Sequence, residues 1–322
     1  PPNPIRRQVL AEDLAPFFHS KRRKTLSLGD QLLQYLFTGI TIGTIYGLVA
    51  LGFNIIYAST GIINLAQGEF VMLGGMMMVY LTTIIKLPMV VGFFLSILIV
   101  TMIGAGFERA AIHPLKNPSV ITLIIITVAA SILFKGGAMF AWGKQTYNLP
   151  SFSGEKPISV LGATILPQTL WILGVMGAVV ALLILFFGCT LTGKAMRACA
   201  ANRTAANLVG INVKIMVLLS FALSAGIGAV AGIIISPIAL MDYDRGTMLA
   251  VKGFSVAVLG GLGSNVGAVV AGFIIGIMES LGAGFISSGY KDAIALVVLL
   301  LVLFIKPSGL LGSRERGEFK KF

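Results

Sequence analysis

The sequence predicts an all-α polytopic membrane protein: a transmembrane helical bundle of about eight apolar segments, with broken or re-entrant pieces in both halves. Of the 322 residues, 57% are hydrophobic and only 11% are charged, whereas soluble domains carry about 25% charged residues. The mean hydropathy is +0.95, and the apolar runs approach the ~20 residues that cross a bilayer. The 39 glycines are typical of closely packed membrane helices. A soluble globular enzyme is therefore excluded.

The apolar segments follow one another along most of the chain. They are Gln31–Tyr57, Ile62–Ile85, Leu87–Ile112, Ser119–Trp142, Gln168–Phe187, Ile215–Leu240, Met248–Leu281 and Tyr290–Ile305. The seventh is too long for one plain crossing, and its Gly260-Gly261-Leu262-Gly263-Ser264-Asn265 sequence predicts a helix break. A basic segment (1–30) precedes the membrane domain (31–312), and a short tail (313–322) follows it. The domain divides into a first half (31–142), a loop (143–167), a polar stretch (192–213) and a second half (215–306).

The positions of the basic residues predict which parts face the cytoplasm. Six of the 24 lie in the first thirty residues and five follow the last apolar run, so the positive-inside rule predicts that both termini are cytoplasmic. Cys189–Lys214 contains four basic residues and no acidic one, which also predicts a cytoplasmic position. Gly143–Pro167 should then lie across the membrane, but four ordinary crossings from a cytoplasmic start would return it inside. One early segment must therefore enter the membrane without an ordinary crossing.

We assign that role to Ile62–Ile85, because its first half is polar. Irregular backbone at membrane depth is tolerated only where it is buried in protein or lines a water-filled cavity. A carboxylate at the bilayer centre costs about 2.5–3.5 kcal/mol on insertion scales, so Glu69 should face protein or water. Two interpretations stay open: Glu69 lines the path or its gate, or it holds the helix break through backbone hydrogen bonds.

A weak internal repeat supports a transport path. Small residues at four-residue spacing, followed by a polar-interrupted segment, occur once in each half. The first ladder is Gly39, Gly43 and Gly47, and the second is Ser224, Gly228, Gly232 and Ser236. Such ladders alone indicate only close helix packing, but corresponding broken segments in two halves are typical of transporters. The candidate residues of the path or helix break are Asn64, Gln67, Gly68, Glu69, Gly260, Gly261, Gly263 and Ser264.

Other features carry no site. Gly188–Ala195 nearly matches a phosphate-binding loop, but Ala195 replaces the hydroxyl that holds magnesium and no βαβ unit surrounds it. No catalytic set and no metal-ligand spacing occur, and Lys135, Lys252 and Glu279 are expected to snorkel to an interface.

The Thr192–Val213 stretch predicts a short, alanine-rich, basic helix closed by a glycine. It is too polar to cross the membrane, and it would either present a surface to a cytoplasmic partner or rest on lipid.

Several motifs together resemble one family. They are Ala50–Tyr57, Gly61–Phe70, Gly193–Ile211, Leu259–Ser264 with Gly267, and Lys306–Gly312. This ordered set is similar to the inner-membrane permeases of high-affinity branched-chain amino acid ABC importers. Where many relatives have histidine in the Asn-x-Ala-His-Gly-Glu motif, this chain has Gln67, which can form hydrogen bonds but cannot titrate.

The resemblance implies a heteromeric importer in a bacterial inner membrane. Its partners would be a second homologous permease, two cytoplasmic ATPases, an extracytoplasmic binding protein and membrane lipid, with no nucleic acid. Thr192–Val213 would be the helix that couples to an ATPase, through Gly193, Lys194, Arg197, Arg203, Asn207 and Gly210. The chain itself would hold no cofactor and no metal, since ATP and magnesium would bind the ATPases.

The expected function is half of an alternating-access path for a branched-chain or other hydrophobic amino acid, without catalysis by this chain. Alternatives are a permease for urea, short amides or aromatic acids, or a secondary carrier driven by an ion gradient with Glu69 as its ion site. An intramembrane enzyme would need paired acids or a nucleophile with its base, and the sequence contains neither.

Overall fold

The computed structural model describes residues 27–115, 119–154, 156–160 and 163–312. Within these residues the chain forms eleven α-helices and one small hairpin. The helices are α1 (Leu28–Thr60), α2 (Gln67–Val79), α3 (Met89–Phe107), α4 (Val120–Trp142), α5 (Pro167–Cys189), α6 (Leu191–Ala201), α7 (Arg203–Leu208), α8 (Val213–Ile235), α9 (Arg245–Gly260), α10 (Asn265–Phe285) and α11 (Lys291–Ile305). π-Helical turns at Tyr80–Ile84 and Glu108–Ile112 extend α2 and α3, and a 3₁₀ turn at Ser288–Tyr290 precedes α11. Strands β1 (Ile158–Val160) and β2 (Ala163–Ile165) pair antiparallel.

The predicted helical bundle is confirmed. Seven stretches of the described chain are long and apolar enough to cross a membrane, namely α1, α3, α4, α5, α8, α10 and α11 with the short turns that extend α3 and precede α11. The predicted break in the seventh segment is also confirmed, because α9 ends at Gly260 and α10 begins at Asn265. Two of the four remaining helices, α2 and α9, are shorter because both begin inside the bundle.

Side-chain hydrogen bonds fix several helix ends. Ser27 and Asp30 form a reciprocal capping box at the start of α1, with both bonds at 3.1 Å. The hydroxyl of Ser264 accepts from Gly267 N at 3.1 Å at the start of α10. At its other end, α1 stops at Gly61, whose φ of 64° lies in the left-handed region that glycine adopts freely. These caps satisfy backbone groups that a helix terminus leaves unpaired.

The two small-residue ladders pack against helices of the opposite half of the sequence. A Cβ on Gly43 of α1 would lie 2.5 Å from the carbonyl oxygen of Gly272 in α10. A Cβ on Gly232 of α8 would collide with backbone atoms of Val71 and Gly75 in α2. The ladder helix of each half therefore contacts the helix that follows a break in the other half, and the two halves are interlocked.

Two hydrogen-bonded contacts distinguish the ends of the bundle. At one end, Gln34 of α1 donates from Nε2 to the carbonyl of Thr164 in β2 at 3.0 Å and accepts from its N–H at 2.8 Å. At the other, Arg203 of α7 donates to the carbonyl of Ser59 from Nε at 3.1 Å and from Nη2 at 2.8 Å. We call these the hairpin end and the α6–α7 end. The 143–167 and 189–214 stretches therefore lie at opposite ends.

Ile62–Ile85 does not cross the bundle as one continuous helix, as predicted, because α2 begins only at Gln67. The segment starts just after Ser59 at the α6–α7 end, and a Cβ on Gly75 of α2 would lie 3.0 Å from the Met241 side chain. Met241 pairs with Tyr147 at the hairpin end. The segment is broken, as its polar residues indicated, but it still runs from one end of the bundle to the other.

The first and last described residues lie at opposite ends of the bundle, and the cytoplasmic position of both termini stays a prediction. The segment after α11 lies at the α6–α7 end, where Leu310 N donates to the carbonyl of Leu259 at 2.7 Å, whereas α1 starts at the hairpin end. Because both broken segments complete a crossing, the described chain makes an odd number of passes. The basic residues of 1–26 and 313–322 lie outside the described residues.

Substitution of Gly43 by valine tests the interlocked packing. Overpacking of two touching backbones should lower the free energy of unfolding by about 1–3 kcal/mol, read as a lower Tm of the purified protein in detergent. The matched control is Gly106→Val on α3, where a Cβ would meet no atom within 4 Å. Equal Tm values for the two variants would contradict this packing.

Candidate functional site

Two half-length helices meet in the middle of the bundle. After α1 ends, residues 61–66 run back without helical structure, and α2 begins at Gln67. The side chain of Gln67 bonds to Ser224, the central residue of α8. Residues 236–244 likewise return from the hairpin end, and α9 begins beside α2: a Cβ on Gly246 would lie 2.7 Å from the carbonyl oxygen of Gly68. From this meeting point α2 runs to the hairpin end and α9 to the α6–α7 end.

Gln67 locks the start of α2 to two long helices. Its Nε2 donates to the carbonyl of Ser224 at 3.2 Å, and the Ser224 hydroxyl lies 2.6 Å from Gln67 Oε1 and 2.8 Å from the carbonyl of Gly52 in α1. Gly52 has no room for a side chain, because a Cβ there would collide with the Gln67 amide. Gln67 is completely buried, so in this conformation it positions the helix break instead of lining an open path.

Glu69 lies where the two helix N-termini meet. Its Oε1 accepts from Ser131 Oγ of α4 at 2.9 Å and lies 3.5 Å from Thr247 Oγ1 of α9. Its Oε2 has no hydrogen-bond partner among the described residues, and a Cβ on Gly246 would lie 2.5 Å from it. Glu69 belongs to the first turn of α2 and faces the first turn of α9. The positive dipole ends of both helices favour a carboxylate there.

Asn64 ends the irregular segment that leads into α2. Its Oδ1 accepts from Ala66 N at 3.2 Å, which forms a local turn. Its Nδ2 is buried and has no partner in the described chain. A polar group left in that state costs about 1–3 kcal/mol, so this segment is one of the incompletely satisfied parts of the core.

An ion pair marks one outer face of the meeting point. Lys135 of α4, one turn beyond Ser131, pairs with Asp244 just before α9, and its Nζ lies 6.0 Å from the centroid of the Tyr243 ring. Lys135 lies seven residues, or about 10 Å of helix rise, inside the end of α4 at Trp142. The sequence predicted that Lys135 would reach an interface; the structure pairs it at depth instead.

The surface around this ion pair combines the polar residues of 242–245, which are all at least partly exposed, with apolar side chains. The side chains of Lys135 and Asp244 are 34% and 59% exposed. Large apolar side chains on either side are exposed too: Ile132, Leu133, Met248 and Val251. Charged side chains at membrane depth face protein or water and not lipid. This α4–α9 face, defined by Ser131, Lys135, Asp244 and Thr247 with Glu69 behind them, is therefore the candidate path-facing surface.

A second ionic cluster holds the C-terminal helices together. Lys252 of α9 donates to Tyr46 Oη at 2.8 Å and to Glu279 Oε1 at 2.7 Å, and its Nζ lies 2.6 Å from Asp292 Oδ1. Lys252 and Glu279 are 12% and 4% exposed, so the prediction that they snorkel to an interface is wrong. The cluster joins α1, α9, α10 and α11. Lys252 pairs with both carboxylates in a site where an unpaired charge would be unfavourable.

The Gly260–Ser264 break lies elsewhere, at the α6–α7 end. Asn54 of α1 donates from Nδ2 to the carbonyl of Ser264 at 2.9 Å and accepts from Gly263 N at 3.1 Å. Gly261 and Gly263 have φ values of 97° and 85°, which explains two of the glycines. The predicted path residues therefore form two groups. Asn64, Gln67, Gly68 and Glu69 lie at the meeting point, and Gly260, Gly261, Gly263 and Ser264 do not.

The break that faces Glu69 is residues 236–246, which the sequence analysis missed. Its signal was present, because Met241-Asp242-Tyr243-Asp244-Arg245 is the most polar run between two apolar segments of the second half. The glycine-rich sequence at 260–264 gave a stronger break signal.

The 192–213 stretch forms two short helices, not the single one predicted. Asn202 caps α7, its Oδ1 accepting from Ala205 N at 3.0 Å. The buried side holds Gly193, Met196, Cys199 and Ala206, and the exposed side includes Leu191, Lys194, Arg197, Asn207, Leu208, Val209 and Gly210. Arg203 is bound to Ser59 of α1, and a Cβ on Gly193 would lie 2.7 Å from Phe187 Cα of α5. Of the six predicted coupling residues, Lys194, Arg197, Asn207 and Gly210 are free to contact a partner.

The fold and the interrupted helices define a multi-pass membrane permease. A family model described as the permease component of the branched-chain amino acid transport system matches residues 35–303. The chain therefore belongs to this permease family, which confirms the resemblance seen in its motifs.

Named relatives agree with the family. The chain is 33% identical over 299 residues to the high-affinity branched-chain amino acid transport system permease protein LivH of Salmonella typhimurium, covering 88% of this chain and 96% of that protein. It is 32% identical over 298 residues to BraD of Pseudomonas aeruginosa, with the same coverage. A more distant relative is the ribose import permease protein RbsC of Haemophilus influenzae, 28% identical over 272 residues and covering 81% of each chain.

Replacing Gln67 by alanine tests its locking role. The change leaves the buried Ser224 hydroxyl and carbonyl without their partner and opens a cavity, so the free energy of unfolding should fall by about 1–3 kcal/mol. Thermal unfolding in detergent measures this, with Gln145→Ala at an exposed position as the matched control. A Tm equal to that of the control would show that Gln67 does not hold the break.

Proposed function

We propose that this chain is one permease subunit of an ATP-driven importer for a branched-chain or other hydrophobic amino acid. It forms half of the translocation path in a bacterial inner membrane, and a second homologous permease forms the other half. ATP and magnesium bind two partner ATPases, and an extracytoplasmic binding protein delivers the solute. Membership of the permease family supports the class of protein, and the names of LivH and BraD support the amino acid as solute.

The exposed side of α6 and α7 is the observation that carries the partner assignment. Leu191, Leu208 and Val209 are 85%, 82% and 76% exposed, next to the exposed Lys194 and Arg197. Apolar side chains rimmed by cations on two short helices, projecting from the end of the bundle, are typical of a protein docking surface. The basic, acid-free composition of this stretch supports a cytoplasmic position, which is where the ATPases would bind.

A physical route connects this surface to the meeting point. Arg203 joins α7 to the end of α1 through the carbonyl of Ser59. Residues 61–66 follow directly and lead to Gln67 and Glu69. A displacement of α6 and α7 by an ATPase would therefore pull on this incompletely satisfied segment of the core. Movement of that segment would change the relative positions of α2 and α9 and so the path between the two permeases.

Charge reversal at Arg197 tests the docking assignment. Arg197→Glu should weaken binding of the ATPase subunits by about 2 kcal/mol, or roughly thirtyfold, if Arg197 is a central contact. Co-purification and ATP-dependent uptake would both be measured. Lys144→Glu, an exposed lysine just beyond α4 in the 143–167 stretch, is the matched control. Uptake that persists without any ATPase would instead support a carrier driven by an ion gradient.

Labelling of Cys189 tests the orientation. Cys189 is exposed and Cys199 is buried. Burial also raises the pKa of the Cys199 thiol, which leaves less of the reactive thiolate. A Cys199→Ser protein should therefore report on Cys189 alone. A membrane-impermeant maleimide should label Cys189 only after the cells are permeabilised.

The control for orientation is a cysteine at position 144. In a protein that lacks both native cysteines, Lys144→Cys at the opposite end of the bundle should be labelled in intact cells. Labelling of Cys189 in intact cells would overturn the orientation and the ATPase docking together.

A further inference from the structure

The ion pair on the α4–α9 face has accessible charges of both signs at one point. Lys135 and Asp244 are paired, and both remain partly exposed beside the apolar side chains of Ile132, Met248 and Val251. Ser131 and Lys135 lie one turn apart on the same side of α4. A solute on this face can therefore reach a cation and an anion at once, with apolar side chains beside them.

Glu69 adds a third charge directly behind the pair. Its side chain is completely buried, and none of the residues that the structure describes forms a hydrogen bond with its Oε2. Ser131 and Thr247 hold Oε1 from the two sides of the same face. This leaves Oε2 as an acceptor whose capacity the folded chain does not use.

The charge balance of the site favours a solute without net charge. Lys135, Asp244 and Glu69 sum to one negative charge. The N-termini of α2 and α9 each contribute a partial positive charge of about half a unit, which brings the total near zero. A net anion or a net cation would disturb this balance, whereas a zwitterion supplies one group for each side chain.

From this geometry we infer that Lys135, Asp244 and Glu69 form a subsite for the charged end of a zwitterionic α-amino acid. Lys135 donates to the carboxylate of the solute and Asp244 accepts from its ammonium group, while Glu69, buried behind them, attracts the ammonium group through its negative charge. In the empty state Lys135 and Asp244 satisfy each other, and the arriving zwitterion exchanges their ion pair for two new ones.

The apolar neighbours complete the subsite. Met248 and Val251 on α9 and Ile132 on α4 are exposed beside the ion pair, so an apolar side chain of the solute would contact them. This inference rests on the proposed function, because it needs an amino acid as the solute. It adds the residues that recognise that solute within the membrane.

The test uses the complete transporter, with both permeases, the ATPases and the binding protein, reconstituted in vesicles. Uptake of radiolabelled leucine and hydrolysis of ATP are measured together. Lys135→Gln and Asp244→Asn should each lower the leucine moved per ATP about tenfold, because a lost contact to a charged group changes an equilibrium by at least that factor. ATP hydrolysis stimulated by the binding protein is measured on the same vesicles, and it reports whether each variant assembles with its partners.

Two controls separate recognition from structure. Lys144→Gln removes the same charge outside the subsite and should leave the ratio unchanged. The double variant Lys135→Asp, Asp244→Lys restores an ion pair but exchanges the positions of the charges relative to Glu69 and the apolar neighbours. Its ratio should stay low, and it is the deciding protein if a single variant does not assemble.

The outcomes are distinct. A normal ratio in the single variants, or full recovery in the exchanged pair, would overturn the subsite and leave the proposed function standing. A wild-type transporter that hydrolyses ATP but moves no leucine would overturn the proposed solute, and the subsite would fall with it.

Discussion

The meeting of two helix N-termini at Glu69 is the interaction on which the rest of this structure depends. A bilayer offers no hydrogen-bond partners, so a helix that starts in the middle of a membrane exposes N–H groups that need an acceptor. A carboxylate at that depth has the opposite need, because it requires donors and positive charge. Glu69 lies within the first turn of α2 and against the first turn of α9, so the positive ends of both helix dipoles face its carboxylate, while the hydroxyls of Ser131 and Thr247 supply its hydrogen-bond donors.

The interlocked halves explain how such a junction is held in place. Gly43 and Gly232 bring the backbones of α1 and α8 onto α10 and α2, and Gln67 ties the start of α2 to both long helices. None of these contacts involves α6 or α7 directly. The single described polar link from those helices to α1, Arg203 to Ser59, is therefore placed to transmit movement to the junction without loosening the helix pairs around it.

Much of this architecture could be predicted from local signals. Apolar length gave the segments, glycine spacing gave the ladders, and Gly260-Gly261-Leu262-Gly263 gave one true break. The second break at 236–246 was missed, because a run of charged residues predicts a loop equally well whether it lies outside the membrane or folds back into it. Lys252 and Glu279 were misjudged for a related reason: they are 27 positions apart and on different helices, so their pairing is invisible along the chain.

The topology was harder to predict, because the side of the membrane on which each loop lies depends on the number of crossings before it. If one segment is wrongly judged not to cross, every part of the chain before it is placed on the wrong side. The contact of Gln34 with Thr164, separated by 130 positions, settles the count in a way that no local pattern could. For the same reason the site on the α4–α9 face had to be seen in three dimensions. Its members come from α2, α4 and the segment before α9, and only Glu69 was conspicuous in the sequence.

A density map of the assembled transporter, with both permeases in a lipid bilayer, would show directly where Glu69 and the α4–α9 face lie. We expect the Glu69 carboxylate to lie between the first turns of α2 and α9, and Lys135 and Asp244 to line a hydrated space between the two permeases. Lipid density against Lys135 and Asp244, with the permeases joined through another face, would contradict it.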